Sequence, residues 1–169
     1  MLRAAVLFLI ASAVAAADPA TVKIADGAVR GVATSQYRSF RGLPYAAPPL
    51  GKLRWTPPQP PAPWGGVLDA TQYKHNCIQK EQFDPKQPRD TLSEDCLYLN
   101  VFTPANATAG SKLPVLFWVH GGGYQGGEGN DGAGEWFIEN VMEELDGPDN
   151  EFHFIGFISF LLMKLPPFC

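Results

Sequence analysis

A run of glycines directly after a histidine is the part of this 169-residue chain whose residue types could do chemistry. Gly121, Gly122 and Gly123 follow His120, and the five residues before it, 115–119, are all apolar. Glycines leave backbone N–H groups bare, because no Cβ keeps a ligand at a distance. Such groups bind either nucleotide phosphates or the oxyanion that forms at a carbonyl carbon during acyl transfer.

The nucleotide interpretation has the weaker support. Residues 121–126 match G-x-G-x-x-G, and Glu139 and Glu143 lie close to the expected acidic offset. That pattern needs a helix to open directly from the loop, with its N-terminus facing the pyrophosphate. Here GGEGNDGAG, residues 126–134, delays any helix, and no Gly-Lys-Ser/Thr follows as a P-loop requires. A dinucleotide-binding domain therefore stays a remote alternative.

The oxyanion interpretation fits the whole segment. A His-Gly-Gly-Gly sequence after a hydrophobic strand is the form that an oxyanion loop takes in lipases and esterases. Two further motifs precede it, FRGLPYAAPPLGKLRW at 40–55 and SEDCLYLNVFTP at 93–104. Together the three resemble the N-terminal part of a type-B carboxylesterase, the group that includes the cholinesterases. The resemblance runs from about residue 20 to residue 140, and it implies an α/β-hydrolase fold, N-terminal part only, with an incomplete central sheet.

The resemblance also assigns roles to residues. It implies that Gly122 and Gly123 donate N–H groups to the oxyanion, while His120 and Gly121 shape the loop. An acid or base role for His120 is not favoured, because the catalytic histidine of this family lies far downstream. It further implies that Arg54 and Glu94 form a salt bridge; the alternative is that both are separately solvated charges.

The nucleophile is missing from the sequence. Ester hydrolysis in this family needs a serine in G-x-S-x-G, followed by an acidic residue and a histidine. None of the six serines lies in that pattern: Ser12, Ser35, Ser39, Ser93, Ser111 and Ser159. We therefore expect a carboxylesterase fragment that is inactive alone; the alternative is a secreted, non-catalytic binding or adhesion protein of the cholinesterase-like type.

Small-molecule carboxylic esters are the substrates that the resemblance implies, without any cofactor. Cholinesterases use a tryptophan in their first disulfide loop to bind a quaternary ammonium group through the ring face. No tryptophan lies between Cys77 and Cys96. The sequence therefore favours a general carboxylesterase over one that acts on choline esters.

The first residues are typical of a secretory signal peptide. Arg3 precedes the apolar run 4–14, and Ala15 to Ala17 supply small residues for cleavage, so we expect residues 1–17 to be removed. The run is shorter than the ~20 apolar residues that span a bilayer, which disfavours an uncleaved anchor. Secretion to the extracellular space follows, and Asn106, in the sequon Asn-Ala-Thr, becomes a candidate glycosylation site.

Three cysteines in a secreted chain are first of all disulfide candidates. Cys77 and Cys96 form the natural pair, which the family resemblance also implies, and Cys169 is left over. The three histidines are dispersed, so the sequence shows no metal-ligand spacing and predicts no zinc. A net charge of -4 gives no basic footprint for nucleic acid.

Hydrophobic patterning predicts the elements. A hairpin is expected around Asp26-Gly27, a strand closing at Pro104, a buried central strand at 115–119 and a helix within 134–147. Residues 37–66 contain so many prolines and glycines that regular structure should not persist there. The aromatic side chains in this segment should still be held in place: Phe40, Tyr45, Trp55 and Trp64.

The last part of the chain departs from the family pattern. We expect residues 18–140 to form the N-terminal part of a carboxylesterase domain and 141–169 to be a divergent tail. A further sheet strand is expected beyond Val141, yet the sequence there reads MEELDGPDNEFHFIGF. Without partner strands, the apolar strand at 115–119 should leave an edge and apolar faces exposed, which favours aggregation.

Overall fold

The computed structural model describes residues 20–79, 92–108, 110–113, 115–123, 125–130, 136, 139–140 and 155–158. Within these ranges three sheets form, with strand orders β1-β2-β5, β3-β4-β8-β10-β9 and β6-β7. A 3₁₀ helix spans Gly51–Leu53. The strands are β1 Thr21–Ile24, β2 Gly27–Arg30, β3 Val32–Ala33, β4 Tyr37–Pro44, β5 Val67–Asp69, β6 Asn76–Cys77, β7 Leu92–Ser93, β8 Tyr98–Pro104, β9 Leu116–Val119 and β10 Ile155–Ile158.

The predicted hairpin is confirmed. Strands β1 and β2 pair antiparallel with Ile24 opposite Gly27, so the turn falls one residue earlier than expected. The indole of Trp64 covers this corner, where a Cβ on Gly27 would lie 2.4 Å from the ring nitrogen. The same Nε1–H donates a hydrogen bond to the carbonyl of Ala28 at 2.7 Å. Trp64 is thus held in place, as its sequence context predicts.

The prediction that residues 37–66 lack regular structure is wrong for the first eight of them. Strand β4 pairs antiparallel with β8, and the register shifts between Phe40 and Leu43. Gly42 lies in this irregularity with φ of 69°, and its N–H donates to the side chain of Asn100 at 2.8 Å. A bulge at a glycine lets the strand continue through a sequence that is rich in turn residues.

The main core lies where the three-stranded and five-stranded sheets meet. Val29, Phe40 and Ala70 are buried there. Partly buried apolar side chains complete the cluster, among them Leu68 and Val101. A second cluster surrounds Cys96 and is described with the site below.

Trp55 departs from the expectation that all four aromatic residues are held away from water. Its side chain is 72% exposed, and its backbone has φ of 65°, in the left-handed region. The Arg54 guanidinium lies 5.2 Å from the centre of the indole ring, which gives Trp55 a cation–π contact at the surface instead of a place in the core.

The prediction of a central position for 115–119 is wrong for the fold as it stands. Among the described strands, β9 is the last of the five-stranded sheet, and its side chains are 40–54% exposed. The related expectation of exposed apolar faces is confirmed by these exposures. Aggregation through this edge stays a prediction.

Residues 155–158 supply a strand that the sequence after Val141 did not indicate. Strand β10 runs between β8 and β9, antiparallel to the first and parallel to the second. The five-stranded sheet is therefore mixed. Four residues of the tail thus belong to the sheet, and the remainder of 141–169 lies outside the described residues.

The helix expected within 134–147 falls largely outside the described residues as well. Residues 136, 139 and 140 are helical, and the side chain of Asn140 donates to the carbonyl of Trp136 at 2.8 Å. Across the described ranges, none of the helical segments has the length and apolar character needed to cross a membrane.

Candidate active site

The glycine loop leaves the carboxyl end of β9 and turns back on itself. Gly122 and Gly123 have φ angles of 118° and 60°, and the N–H of Gln125 closes the turn onto the Gly122 carbonyl at 3.0 Å. Gly121, Gly122 and Gly123 are exposed and lie outside the sheet ladder. Their N–H groups find no acceptor within the described part of the chain.

Steric contact explains why two positions here must be glycine. A Cβ on Gly122 would lie 1.9 Å from the carbonyl oxygen of Gly126. A Cβ on Gly127, which has φ of 114°, would lie 2.2 Å from Nδ1 of His120 and 2.4 Å from the Gly121 oxygen. Gly123 has open space around its Cα, so only its positive φ favours glycine there.

His120 contacts the loop that it precedes. Its Nδ1 lies 2.7 Å from the carbonyl oxygen of Gly121. A carbonyl oxygen only accepts, so we assign the ring proton in this contact to Nδ1. The imidazole therefore braces the backbone of the glycine loop, which is consistent with the shaping role that the family resemblance implies.

Three side chains from elsewhere in the fold hold the segment that follows the loop. Gln79 bonds both backbone groups of Gly127, accepting from its N–H at 2.7 Å and donating to its carbonyl at 3.2 Å. The amide of Asn76 donates to the carboxylate of Glu128. Asn100 donates to the carbonyl of Gly129 at 2.8 Å and accepts from Gly42 with its other end.

Sequence reasoning missed these three residues. Asn76 and Asn100 are 3% and 5% exposed, although asparagine seldom lies inside a core without partners. An asparagine in the apolar strand CLYLNVFTP was a usable signal that a backbone group needed a partner there. Gln79 carries no comparable signal, because an isolated glutamine is ordinary at a surface.

The disulfide between Cys77 and Cys96 is present, with Cα atoms 5.0 Å apart. Cys96 is fully buried, and Ala46 and Leu97 pack with the bridge in a small apolar cluster. Strands β6 and β7 pair in parallel beside it, with Cys77 opposite Ser93. The bridge therefore fixes the segment that carries Asn76 and Gln79.

Arg54 and Glu94 lie together next to this bridge. The guanidinium and carboxylate approach to 2.6 Å, and both side chains are partly exposed, at 53% and 36%. The pair connects the 3₁₀ turn region to the residue two positions before Cys96. Exposure on this scale limits what such a pair contributes to stability.

Two tyrosines near the bridge hold their protons more tightly than usual. Burial raises the pKa of Tyr98 to about 12, and the hydrogen bond from its hydroxyl to Asp95, at 2.8 Å, adds to the effect. Burial alone raises the pKa of Tyr45 to about 12. Both phenols therefore stay protonated to a higher pH than an ordinary tyrosine does.

The sequon of Asn106 lies in an exposed turn after β8. Asn106 and Thr108 are exposed, and the N–H of Thr108 donates to the Ser111 hydroxyl at 2.9 Å. A sugar on Asn106 would therefore meet solvent. No group of three or more metal-ligating side chains occurs in the described ranges.

The geometry at Gly126 does not suit a dinucleotide. Residues 125–130 form turns and extended backbone, whereas the fingerprint needs a helix to begin at the loop. The remote dinucleotide alternative therefore loses the feature on which it depended.

Comparison with known proteins identifies the family. The carboxylesterase family model matches residues 18–142, so the chain belongs to the carboxylesterase family. Human cocaine esterase is 43% identical over 121 residues, covering 65% of this chain and 22% of that protein. The medium-chain fatty acyl-CoA hydrolase precursor of Anas platyrhynchos is 38% identical over 160 residues, covering 84% of this chain and 28% of that protein.

The fold comparison agrees. A solved carboxylesterase from Geobacillus stearothermophilus superposes with a TM-score of 0.66 at 31% identity, covering 83% of this chain and 26% of that one. The chain therefore forms a partial, N-terminal region of the α/β-hydrolase fold. It spans about a quarter of the length of these relatives, between 22% and 28%.

Proposed function

We propose that this chain is the N-terminal part of a serine carboxylic ester hydrolase, in which Gly122 and Gly123 donate N–H groups to the oxyanion. The observation that carries the proposal is the pair of exposed N–H groups outside the sheet, held by positive φ angles at the end of β9. Membership of the carboxylesterase family supports the reaction class.

The role of the two N–H groups follows from where charge develops. Attack on an ester carbonyl turns its oxygen into an oxyanion, and fixed donors stabilise that charge more than the neutral carbonyl. Donors that are already in place need little reorganisation during the reaction. Each donor of this kind is worth about 3 to 4 kcal/mol in the transition state.

A hybrid enzyme tests the assignment. Residues 20–140 would replace the matching part of an active homologous carboxylesterase, which supplies the nucleophile and base. Gly122→Ala keeps its backbone N–H, but its Cβ would lie 1.9 Å from the Gly126 oxygen, so the loop must shift and carry the donor away from the oxyanion. This should lower kcat about 100- to 1000-fold with little change in KM, because the donor acts in the transition state. Gly123→Ala should cost less, because its Cβ meets no atom within 4 Å. Equal, small losses in both variants would refute the oxyanion role.

The 169 residues alone should not turn over esters. They contain no G-x-S-x-G, so the nucleophile, the base and a further oxyanion donor would have to come from a longer form of the protein. A fluorophosphonate probe should leave the purified chain unlabelled, with the active hybrid as the positive control. Labelling of a serine would refute this part. A longer form that also lacks the serine would instead favour a non-catalytic binding protein.

Small carboxylic esters are the proposed substrates, and choline esters are disfavoured because no tryptophan lies between the paired cysteines. The hybrid offers a direct test, in which neutral aryl esters should be hydrolysed with higher kcat/KM than acylcholines of the same acyl length.

Secretion is proposed from the signal-like residues 1–17, and the buried disulfide supports an oxidising destination. Expression in a eukaryotic host should yield medium-borne protein beginning near Asp18. It should also carry a glycosidase-sensitive sugar that Asn106→Gln removes. Retention in the cytosol with an intact N-terminus would contradict the proposal.

A further inference from the structure

We infer that Gln79 is a positioning residue of the glycine loop: its carboxamide clamps Gly127 and so fixes where the N–H groups of Gly122 and Gly123 lie. The catalytic meaning of this inference rests on the proposed function. The clamp itself does not, because it concerns only the backbone position of the loop.

The first step is the grip of Gln79 on Gly127. One carboxamide satisfies both the N–H, at 2.7 Å, and the carbonyl, at 3.2 Å, of a single residue. Two hydrogen bonds from one planar group fix orientation as well as distance, as a single bond would not. Gln79 is itself tethered, because Cys77 two residues earlier is bonded to the buried Cys96.

The second step is the contact between Gly127 and the start of the loop. Gly127 packs so closely that a Cβ would lie 2.4 Å from the Gly121 oxygen and 2.2 Å from the His120 ring. Gly126 approaches Gly122 as closely, with its oxygen 1.9 Å from a Cβ placed there. Residues 126–127 thus pack directly against residues 121–122. A shift of Gly127 should therefore displace residues 121–122.

Two neighbouring contacts extend the clamp. Glu128 accepts from Asn76, and the Gly129 carbonyl accepts from Asn100 of β8. Three consecutive residues are therefore each held by a side chain from the better-packed part of the fold. This matters because β9, the last described strand of its sheet, has exposed side chains, and sparsely packed segments open more readily than buried ones.

Amide NMR on the full 169-residue chain, labelled at glycine, tests the clamp. Gln79→Ala should accelerate hydrogen exchange of the Gly127 amide about tenfold, since a bonded amide becomes exposed to opening. It should also lower the heteronuclear NOE of Gly122 and Gly123. The control is Gln59→Ala, because Gln59 is exposed and its side chain bonds only the nearby Pro57 carbonyl; it should change neither signal.

A second variant separates the clamp from general loss of structure. Gln79→Glu keeps an acceptor for the Gly127 N–H, but its second oxygen faces and repels the Gly127 carbonyl, so exchange at Gly127 should lie between that of the parent and that of Gln79→Ala. Exchange as fast as in Gln79→Ala would overturn the clamp. Unchanged NOE values at Gly122 and Gly123, when Gly127 exchanges faster in Gln79→Ala, would overturn the positioning role.

These outcomes are independent of ester chemistry. A failed clamp leaves the oxyanion assignment of Gly122 and Gly123 to be judged by the hybrid enzyme. A failed oxyanion assignment leaves a glycine loop whose position Gln79 still sets.

Discussion

Strands β8 and β9 are both apolar segments of the same sheet, yet they differ in burial. In β8, Phe102 is 1% exposed, whereas Phe117 in β9 is 54% exposed. Among the described strands, β8 has neighbours on both sides, whereas β9 pairs with β10 alone. An apolar sequence therefore indicates that a strand can be buried. Whether it is buried depends on the strands that lie beside it.

The largest test of this comparison exchanges one phenylalanine in each strand. Phe102→Ala should destabilise the fold by about 3 to 5 kcal/mol, because it leaves a cavity in packed surroundings. Phe117→Ala should change the free energy of unfolding by no more than about 0.5 kcal/mol. Urea denaturation measures both. Similar losses in the two variants would mean that β9 is covered in solution.

The exposed edge gives a companion measurement. Phe117→Lys should slow the growth of light scattering on storage, because charged residues on an edge strand oppose pairing with another chain. Faster or unchanged scattering would locate the association elsewhere.

The next largest loss of stability is expected from removing the Cys77–Cys96 disulfide. A Cys77→Ser, Cys96→Ser double variant should lose about 3 kcal/mol, the value that chain entropy gives for a loop of this length. Cys169→Ser is the matched control and should leave stability unchanged. A loss below about 1 kcal/mol would show that the small cluster around Cys96 holds without the bridge.

Alkaline titration tests how far burial raises the pKa of two tyrosines on the better-packed side of the fold. The pKa values of Tyr45 and Tyr98, about 12, lie above the ordinary value of 10.0, so the folded chain keeps both protons where the unfolded chain loses them. Their contribution to stability is fully present below pH 10 and is lost as pH rises towards 12.

Tyr45 and Tyr98 should therefore titrate late in the tyrosinate absorbance of the folded chain, and Tyr98→Phe should remove one of these late steps. Asp95→Asn should lower the pKa of Tyr98 only part of the way, because burial is the larger cause. A complete return to the ordinary value would make the hydrogen bond the main cause.

The smallest expected effect belongs to the salt bridge. Arg54→Ala should cost no more than about 1 kcal/mol, since both partners are partly exposed. A double-mutant cycle with Glu94→Ala isolates the pair. A coupling energy well above about 1 kcal/mol would indicate that this surface is covered in the native protein.

Local signals in the sequence predicted the elements whose partners are close in the chain. The hairpin at Asp26-Gly27 and the strand ending at Pro104 follow from turn chemistry and alternation. The glycine loop after β9 follows from residue type alone. The pairing of Cys77 with Cys96 needed only the oxidising context and the family pattern.

Features that depend on distant partners were not predictable in this way. Strand β4 continues through glycine and proline because it pairs with β8, and because the side chain of Asn100 accepts a hydrogen bond from the N–H of Gly42 in the bulge. The apolar sequence of β9 predicts a central strand, although the position of a strand depends on which strands flank it. Gln79 has no local signature, because its function depends on where Gly127 lies in space.

The order of strands in the sheet has a consequence for synthesis. Strand β10, which separates β8 from β9, follows β9 by about 36 residues. At ribosomal rates of about 5 to 20 residues per second, β9 waits roughly 2 to 7 seconds for its neighbour. During that interval the uncharged, apolar segment 115–119 could pair with an unpaired strand of another chain. We therefore expect nascent chains to depend on a chaperone until β10 has been synthesised and pairs with β9.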